Sequence, residues 1–333
     1  MKVFLWLFML LLIGVSIPKS YAFAVNEVNK GPNCQVSDEL DIFLIVTEWS
    51  LQRQKQLYDC MRTMWSHLDA TCKVHFHILV DATTTHYVLD ILHQRWCQGG
   101  DHPDIDVKIS LYYIQDVQTA VLPYYHGMLK YFSDKSNLYY NRTIFFVEAV
   151  LHKVLPEVVD KIMVFDIDIK FNSSVEELYV YFEHFSPSNL IGLAYEQQPT
   201  YMHYTAEYRR NNPLTRIGSP PPNGFPGFNS GVILMDLQKL RYCDTYNRLL
   251  SSVNLHHLAE KYSFRGNLGD QDYFTLLSFE HPELFYVLPC TWNRQLCRWF
   301  ETHGYHEHFS AFHHCSGYIH IYHGNCNSTL PEL

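Results

Sequence analysis

The sequence predicts an α/β protein with a largely parallel sheet covered by helices on both faces. Apolar runs of strand length recur along the chain, and stretches with apolar residues at helical spacing separate them. Hydrophobic residues make up 47% of the 333 residues and charged residues only 18%, which allows a large core and argues against disorder. No internal repeat or interdomain linker stands out, so we expect a single folded domain.

The alternation of strands and helices is clearest in the first half of the chain, where short apolar runs and one-sided apolar stretches follow each other. The predicted strands span residues 41–46, 74–80, 107–114, 161–165, 190–194 and 232–235. The predicted helices span residues 57–68, 88–92 and 141–155.

A long segment between the last two strands, residues 196–228, contains six prolines. Proline interrupts helices and central strands, so this segment is predicted to be a loop. Loops of this length inside a compact domain are usually functional. Aromatic residues in and beside it suit stacking on a sugar face: Tyr195, Tyr201, His203, Tyr204 and Tyr208.

The N-terminal region predicts entry into the secretory lumen. Residues 1–25 are predicted to be a signal anchor or a cleaved signal peptide, and residues 26–40 a short lumenal stem before the folded domain, residues 41–333. The apolar run 3–17 is shorter than the roughly 20 residues of a full membrane span, and both outcomes stay open. Three sequons for N-glycans, at Asn141, Asn172 and Asn327, agree with this address.

Charge and cysteine content narrow the function classes further. The net charge is −9 and there is no basic block, which argues against a nucleic-acid partner. Four of the nine cysteines lie close together near the C-terminus: Cys290, Cys297, Cys315 and Cys326. In an oxidising lumen they predict two disulfides, and the absence of a Cys-x-x-Cys pair weakens the zinc alternative.

Two carboxylates, Asp166 and Asp168, follow the predicted buried strand 161–165. Their spacing of two points both side chains the same way, and such a pair repels unless a cation lies between them. His323 follows a second short apolar run and could complete a mixed oxygen and nitrogen ligand set, which favours Mn²⁺ over Mg²⁺. The alternative is a histidine that is merely hydrogen-bonded within a core.

Further polar motifs are expected at the same edge of the sheet, where open α/β sheets bind ligands. Thr47 and Glu48 follow the first strand, and the motif 229–231 (NSG) precedes a later one. The motif 268–272 (LGDQD) is predicted to open a helix, with one acid capping it, the other contacting ligand, and Gln271 beside the reacting carbon.

The order of these motifs resembles the glycogenin-like glycosyltransferases of the GT-A fold: Asp-x-Asp, then Phe-Asn-Ser-Gly, then Gly-Asp-Gln, then a late His-Gly. Four segments are most similar to a xylosyl-transferring branch of that family. They are residues 225–231 (FPGFNSG), 264–272 (FRGNLGDQD), 290–297 (CTWNRQLC) and 321–326 (IYHGNC).

This resemblance implies a GT-A fold, a single Rossmann-like mixed sheet flanked by helices, as the catalytic domain over residues 41–333. It implies Mn²⁺ as cofactor and a retaining transfer of xylose from UDP-xylose, in α-1,3 linkage, onto xylosyl-glucose O-linked to EGF repeats such as those of Notch. It also implies a single-pass type II protein of the endoplasmic reticulum membrane. The alternatives are another UDP-sugar transferase of this fold, such as a glucoside xylosyltransferase, an inactive sugar-binding module, or an Asp-x-Asp phosphatase.

The resemblance also implies roles for individual residues. The metal ligands are Asp166, Asp168 and His323. The catalytic candidates are Gln271 and Asp270, and the donor-side candidates are Thr47, Glu48, Ile167, Asn229, Gly231, Gly269, Asp270 and Gln271. The acceptor-side candidates are Tyr201, His203, Asp272, Trp299 and Asn325.

Three expectations complete the hypothesis. Because an amide is a poor nucleophile, we favour a same-face displacement at the sugar over a covalent intermediate on Asp270. Family members place a lysine where this chain has Asn325, so the diphosphate is expected to rely on Mn²⁺ or on Lys261 or Arg265. Of the three disulfide pairings, our working hypothesis is Cys290 with Cys315 and Cys297 with Cys326.

Overall fold

The structure is a computed structural model that describes residues 22–25, 39–69, 72–97, 106–133 and 143–332. The rest of the predicted signal segment and stem, and the sequon at Asn141, lie outside the described residues. In the ranges that the structure covers, no helix is both long enough and apolar enough to span a membrane.

The described strands form a central mixed sheet of eight and a small sheet of three. They are β1 (Ala22–Val25), β2 (Leu40–Val46), β3 (Lys73–Val80), β4 (Asp106–Tyr113), β5 (Lys161–Phe165), β6 (Ile169–Phe171), β7 (Ile191–Tyr195), β8 (Phe228–Asp236), β9 (Phe285–Leu288), β10 (Arg294–Gln295) and β11 (Ile321–His323). The central sheet has the order β1-β4-β3-β2-β5-β8-β7-β9. Strands β4, β3, β2 and β5 run parallel, whereas β8 is antiparallel to both of its neighbours.

Helices connect the strands and cover the sheet. They are α1 (Leu51–Trp65), α2 (Thr85–Cys97), α3 (Ile114–Phe132), α4 (Leu151–Val154), α5 (Val175–Tyr179), α6 (Thr200–Tyr204), α7 (Ala206–Asn211), α8 (Leu237–Tyr242), α9 (Asp244–Leu249), α10 (Ser252–Lys261), α11 (Asp270–Ser278), α12 (Trp299–Thr302) and α13 (His306–His313). Short 3-10 turns span Thr143–Phe146, Glu148–Val150, Val180–His184, Pro282–Leu284, Cys290–Trp292 and Asn325–Asn327.

The sheet is buried on both faces, which explains why its central strands are continuously apolar. Along β2, Phe43 packs into one hydrophobic cluster while its neighbours Ile42 and Leu44 pack into another. The first cluster includes residues of α3, α10 and α11, and the second includes residues of α1, α2 and α5. Side chains alternate between the faces of a strand, so one apolar run serves both clusters.

The small sheet brings the C-terminal segment onto the strand that follows the acid pair. Strand β11 lies antiparallel to β6, with His323 opposite Ile169, and parallel to β10. The predicted disulfides Cys290–Cys315 and Cys297–Cys326 are both confirmed, and β11 lies within the loop that the second one closes. The pairing of β11 with β6 brings His323 towards the acid pair.

The mixed sheet implied by the family resemblance is confirmed, but one helix was missed and two local predictions were wrong. Helix α3 was not predicted, because Pro123 and Gly127 interrupt its pattern. The helix predicted over residues 141–155 is a series of short turns ending in α4. The proline-rich loop contains α6 and α7, which fit between its prolines.

Candidate functional site

The acid pair lies where β5 ends at the edge of the central sheet. The backbone N–H of Asp166 donates to the carbonyl of Gly231 at 3.0 Å, which continues the pairing of β5 with β8. Asp168 precedes β6, and its carbonyl accepts a hydrogen bond from Gly324 at 2.7 Å. These two backbone contacts fix the acids between the central sheet and the small sheet.

His323 meets both carboxylates, as predicted. Its Nε2 lies 3.4 Å from Oδ2 of Asp166 and 3.4 Å from Oδ1 of Asp168. The Asp166 side chain is 50% exposed whereas that of His323 is only 4% exposed, so the site opens to solvent on the Asp166 side. Three ligand atoms within 4.8 Å of one another suit a divalent cation that accepts oxygen and nitrogen ligands.

Electrostatics ties these three groups together. Burial alone would lower the pKa of His323, but the charges and hydrogen bonds of Asp168 and Asp166 raise it to about 10. Burial likewise acts to raise the pKa of Asp168, yet His323 and, more weakly, Arg53 hold it below its ordinary value. The carboxylates therefore strongly favour a positive charge at this point, which a divalent cation supplies.

Glycine at position 231 makes room for the imidazole. A Cβ built on Gly231 would lie 2.2 Å from Cε1 of His323, far inside van der Waals contact. The NSG motif therefore needs its glycine because the His323 ring, and not only a ligand, approaches the backbone.

Asn293, which the sequence analysis did not single out, orients the His323 ring. The Nδ1 of His323 lies 3.0 Å from Oδ1 of Asn293, while Nδ2 of Asn293 donates to Oδ1 of Asn229 at 2.9 Å. Because the amide carbonyl can only accept, Nδ1 carries the proton and directs Nε2 at the carboxylates. Asn293 is fully buried. It lies in the segment 290–297 that contributes to the family resemblance, but no local pattern indicated its contact with His323.

A buried polar network extends from Asn229 to Gln271. Nδ2 of Asn229 donates to Oε2 of Glu196 at 3.1 Å, and Nε2 of Gln271 reaches the same oxygen at 3.4 Å. Burial raises the pKa of Glu196 to about 7, partly offset by the Asn229 hydrogen bond. The sequence analysis missed Glu196 because it took this position only as the start of a loop.

Gln271 is held at both ends of its amide. The backbone N–H of Ser230 donates to its Oε1 at 3.1 Å, and its Nε2 donates to the hydroxyl of Tyr201 at 3.2 Å. The Tyr201 hydroxyl in turn donates to Oδ1 of Asp272 at 3.0 Å. Oδ2 of Asp272 accepts from the N–H of Leu268 at 2.7 Å, so Asp272 is the acid that closes the start of α11.

Tyr201 and Asp272 are both 0% exposed. Both lie in the interior next to Gln271: Tyr201 contacts the Gln271 amide, and Asp272 contacts Tyr201. Burial also raises the pKa of Asp272 to about 7. Both predicted acceptor-side residues therefore support Gln271 from within the protein.

Asp270 forms a second buried acidic pair with Glu148, which the sequence analysis also missed. A hydrogen bond joins the two side chains. Burial raises the pKa of both well above the ordinary range, helped by the charge of Asp270 on Glu148 and by the charge of Asp166 on Asp270. Two buried carboxyl groups in contact share a proton, since both cannot be ionised at low cost. Gly269, the residue before Asp270, adopts a φ of 67°, a conformation that favours glycine.

The predicted donor-side residues after β2 lie in a tightly bonded turn. Glu48 adopts φ 62°, and its N–H donates to Oδ2 of Asp81 at 2.6 Å. The carbonyl of Thr47 accepts from Nη1 of Arg53 at 2.6 Å. Ile167, which lies between the two acids in sequence, is half-buried and packs against the second hydrophobic cluster. Arg53 therefore brings a cation to this edge, whereas Lys261 and Arg265 each form an ion pair with a surface glutamate.

The remaining acceptor-side candidates lie towards the surface. Trp299 is 52% exposed and stacks on His303, with 3.9 Å between ring centroids. His203 is exposed and contacts the hydroxyl of Tyr305 at 2.8 Å. Asn325 accepts hydrogen bonds from the N–H groups of Leu296 and Cys297, so its carbonyl is already used within the protein.

Comparison with known proteins gives one family match and several relatives. The family model described as glycosyl transferase family 8 matches residues 50–321. Xyloside xylosyltransferase 1 of Mus musculus is 45% identical over 225 residues, covering 68% of this chain and 57% of that protein. This chain thus spans little more than half the length of that curated relative.

Solved structures agree with the fold. The crystal structure of mouse xyloside xylosyltransferase 1 in its apo form superimposes with a TM-score of 0.83 at 36% identity, covering 88% of this chain and all of that one. The galactosyltransferase LgtC in complex with donor and acceptor sugar analogues gives a TM-score of 0.52 at 14% identity, covering 85% and 86% of the two chains. The second likeness shows a shared fold alone.

Proposed function

This chain belongs to glycosyl transferase family 8, and on that basis we propose that it transfers xylose from UDP-xylose, with retention of configuration and with Mn²⁺ as cofactor. The acceptor in this proposal is xylosyl-glucose O-linked to EGF repeats such as those of Notch, extended in α-1,3 linkage. The likeness to xyloside xylosyltransferase 1 supports both the transferred sugar and a xyloside acceptor.

One observation carries the proposal: the NSG motif of β8 contacts both functional centres. Gly231 lies against His323, which meets the acid pair, and the N–H of the preceding Ser230 holds the carbonyl of Gln271. Adjacent backbone positions thus join a cation site to a buried, oriented amide. In this proposal the diphosphate of the donor lies at the cation site, and the reacting carbon of its sugar lies beside the Gln271 amide.

The three convergent side chains Asp166, Asp168 and His323 would hold the cation. When bound, a divalent cation supplies positive charge that stabilises a departing diphosphate. Asn293 keeps the Nε2 of His323 turned towards the carboxylates, and the half-exposed Asp166 leaves an approach for phosphate oxygens.

The surroundings of Gln271 and Asp270 favour a same-face displacement. Burial and the charge of Asp166 raise the pKa of Asp270 well above its ordinary range, which makes its carboxyl group a weak nucleophile, while the Gln271 amide is neutral. In this proposal the bond from the sugar carbon to the diphosphate breaks as the acceptor oxygen bonds to that carbon. The acceptor's proton passes to an oxygen of the leaving diphosphate, and the Gln271 carbonyl stabilises positive charge on the sugar.

The proposal includes residence in the endoplasmic reticulum, with the catalytic domain in the lumen and a type II membrane segment. The two disulfides near His323 support an oxidising compartment, because such bonds rarely persist in a reducing cytosol. Exposed Trp299 and His203 are our candidates for contact with the acceptor.

The test is to incubate the purified chain with Mn²⁺, a panel of UDP-sugars and a xylosyl-glucosyl EGF repeat, with and without EDTA. We expect transfer from UDP-xylose, loss of transfer with EDTA, and loss of transfer in the Asp166→Asn/Asp168→Asn double variant. Preference for another UDP-sugar would reassign the donor. Phosphate release without transfer would indicate a phosphatase, and binding alone an inactive module.

A further inference from the structure

A second group of metal-ligating side chains lies at the opposite end of the same sheet. Asp41 is near the start of β2, and His75 and His77 are in the first half of β3, whereas Asp166 follows the end of the parallel strand β5. His75 and His77 are two residues apart in a strand, so both project from one face, and Asp41 is the backbone partner of His75.

The ring nitrogens of both histidines point at Asp41. Nε2 of His77 lies 2.7 Å from Oδ1 of Asp41, and Nδ1 of His75 lies 3.3 Å from the same oxygen. The two imidazoles lie with their centroids 4.0 Å apart and their planes tilted by 37°. One ligand atom from each residue therefore falls within 4.8 Å of the others, in an arrangement with two nitrogens and one oxygen.

Each histidine is oriented by a hydroxyl on its other nitrogen. Nε2 of His75 contacts Oγ of Ser110 at 2.8 Å, and Nδ1 of His77 contacts the hydroxyl of Tyr112 at 2.9 Å. A hydroxyl both donates and accepts, so each ring can switch tautomer and present a bare nitrogen without losing this bond. Protein sites that bind metal commonly use this second hydrogen bond to fix a ligating histidine.

A fourth ligand is available in Glu39. Its Oε2 lies 3.9 Å from Nδ1 of His75, while its Oε1 forms an ion pair with Lys108 at 2.8 Å. Lys108 thus engages one carboxylate oxygen and leaves the other directed at the cluster. The His77 side chain is 1% exposed, but Glu39 is 28% exposed, so an ion can enter from the Glu39 side.

We propose that Asp41, His75, His77 and Glu39 form a structural Zn²⁺ site that joins β2 to β3, separate from the site at Asp166. Zinc accepts mixed imidazole and carboxylate ligands in tetrahedral geometry with bonds of about 2.0 Å, which puts ligand atoms about 3.3 Å apart. The two imidazole nitrogens lie 2.7 and 3.3 Å from Oδ1 of Asp41, close to that value. Oε2 of Glu39 lies 3.9 Å from the His75 nitrogen, outside the close group of three, and moves inward in this proposal to become the fourth ligand. Mg²⁺ and Ca²⁺ prefer oxygen ligands and fit this set less well.

The alternative is a hydrogen-bonded trio in which Asp41 accepts from both imidazoles and binds no ion. Zinc binding distinguishes the two, provided that the first site is removed. The background for the test is therefore the full chain carrying Asp166→Asn/Asp168→Asn. This experiment does not depend on transferase activity, so its outcome is independent of the proposed function.

The background protein is dialysed against a zinc buffer, and its metal content is measured by mass spectrometry. We expect one Zn²⁺ per chain, and an intense visible spectrum when Co²⁺ replaces zinc, as tetrahedral coordination gives. Adding His75→Gln should weaken zinc binding at least tenfold. Adding His86→Gln should leave it unchanged, because His86 forms a similar pair with Asp90, at 3.6 Å, outside the cluster.

Zinc should also raise the unfolding temperature of the background protein, and the rise should vanish with His75→Gln. His75 is chosen over the buried His77 so that the variant still folds, which circular dichroism checks. Absence of stoichiometric zinc in the background protein, or zinc binding that survives His75→Gln, would overturn the proposal in favour of the hydrogen-bonded trio.

Discussion

Replacing Asn293 with alanine tests how the metal site is oriented. Asn293 accepts from Nδ1 of His323 at 3.0 Å and donates to Oδ1 of Asn229 at 2.9 Å. Without it, the His323 ring has no fixed tautomer, so Nε2 is no longer held towards the acid pair. We expect weaker divalent metal binding even though all three ligands remain.

The magnitude follows from the bonds that are lost. Removing the hydrogen-bond partner of a metal-binding histidine weakens binding by roughly 10–100-fold, which corresponds to about 1.4–2.7 kcal/mol. The variant also leaves buried polar atoms of His323 and Asn229 with fewer partners, which lowers the free energy of unfolding by about 1–3 kcal/mol.

Asn189→Ala is the matched control. Asn189 is also buried, and its Nδ2 donates to the carbonyls of Glu283 and Phe285 at 2.9 and 3.1 Å, away from the acid pair. It should lose a similar amount of stability in urea denaturation but keep its affinity for Mn²⁺. Free Mn²⁺, measured by electron paramagnetic resonance during titration, reports that affinity.

The two variants therefore differ only in the metal titration. If Asn293→Ala bound Mn²⁺ as tightly as Asn189→Ala, with the same loss of stability, the orientation of His323 by Asn293 would be refuted. Transfer rates measured across a range of Mn²⁺ concentrations should shift in parallel with the binding curve.

Two further predictions follow from the same site. Gly231→Ala should displace the His323 ring, weaken Mn²⁺ binding at least tenfold and cost about 1–3 kcal/mol of stability. In the control Gly192→Ala, the new Cβ would meet Phe185 at 3.0 Å and Leu234 at 3.3 Å, away from the acid pair, so Mn²⁺ affinity should be kept. Equal affinities in the two variants would contradict the clash with His323. Burial raises the pKa of Glu196 from 4.5 to about 7, so its contribution to stability is full below pH 4.5 and lost as pH rises through 7. That contribution is at most about 3 kcal/mol. Urea titrations between about pH 5 and pH 8 should show a smaller decline with pH in Glu196→Gln, and an equal decline would argue against this pKa.

The inner strands of the central sheet were predictable because burial on both faces leaves a continuous apolar run, whereas β1 and β9 were missed and the start of β8 was taken for loop. Strands β2, β3, β4 and β5 were predicted to within one or two residues for that reason. Helix α3 was missed because its proline and glycine are tolerated by packing that a local pattern does not record. The turns at residues 143–154 were taken for one helix because nearly every side chain there is buried, so no polar face marks the period.

Within the site, too, residues marked by a local pattern were predicted, and residues whose role depends on distant partners were missed. Asp166 and Asp168 were predicted because they follow a buried strand, and His323 because the order of the motifs resembles that of the family. Asn293, Glu196 and Glu148 were missed because their roles depend on partners distant in sequence. Asn293 contacts His323 and Asn229, and Glu148 meets Asp270, contacts that only the fold creates. Lys261 and Arg265, chosen from sequence for the diphosphate, are engaged with Glu280 and Glu260, while Arg53 acts on Asp168.

The distance in sequence between the acid pair and His323 has a consequence for biosynthesis. Asp166 and Asp168 are synthesised long before β11, the strand that carries His323. Strand β11 lies inside the loop closed by Cys297–Cys326. In the nascent chain, the carboxylates of Asp166 and Asp168 therefore lack the imidazole of His323 until β11 pairs with β6 and the Cys297–Cys326 disulfide forms. The metal site is therefore completed late, after both of these steps.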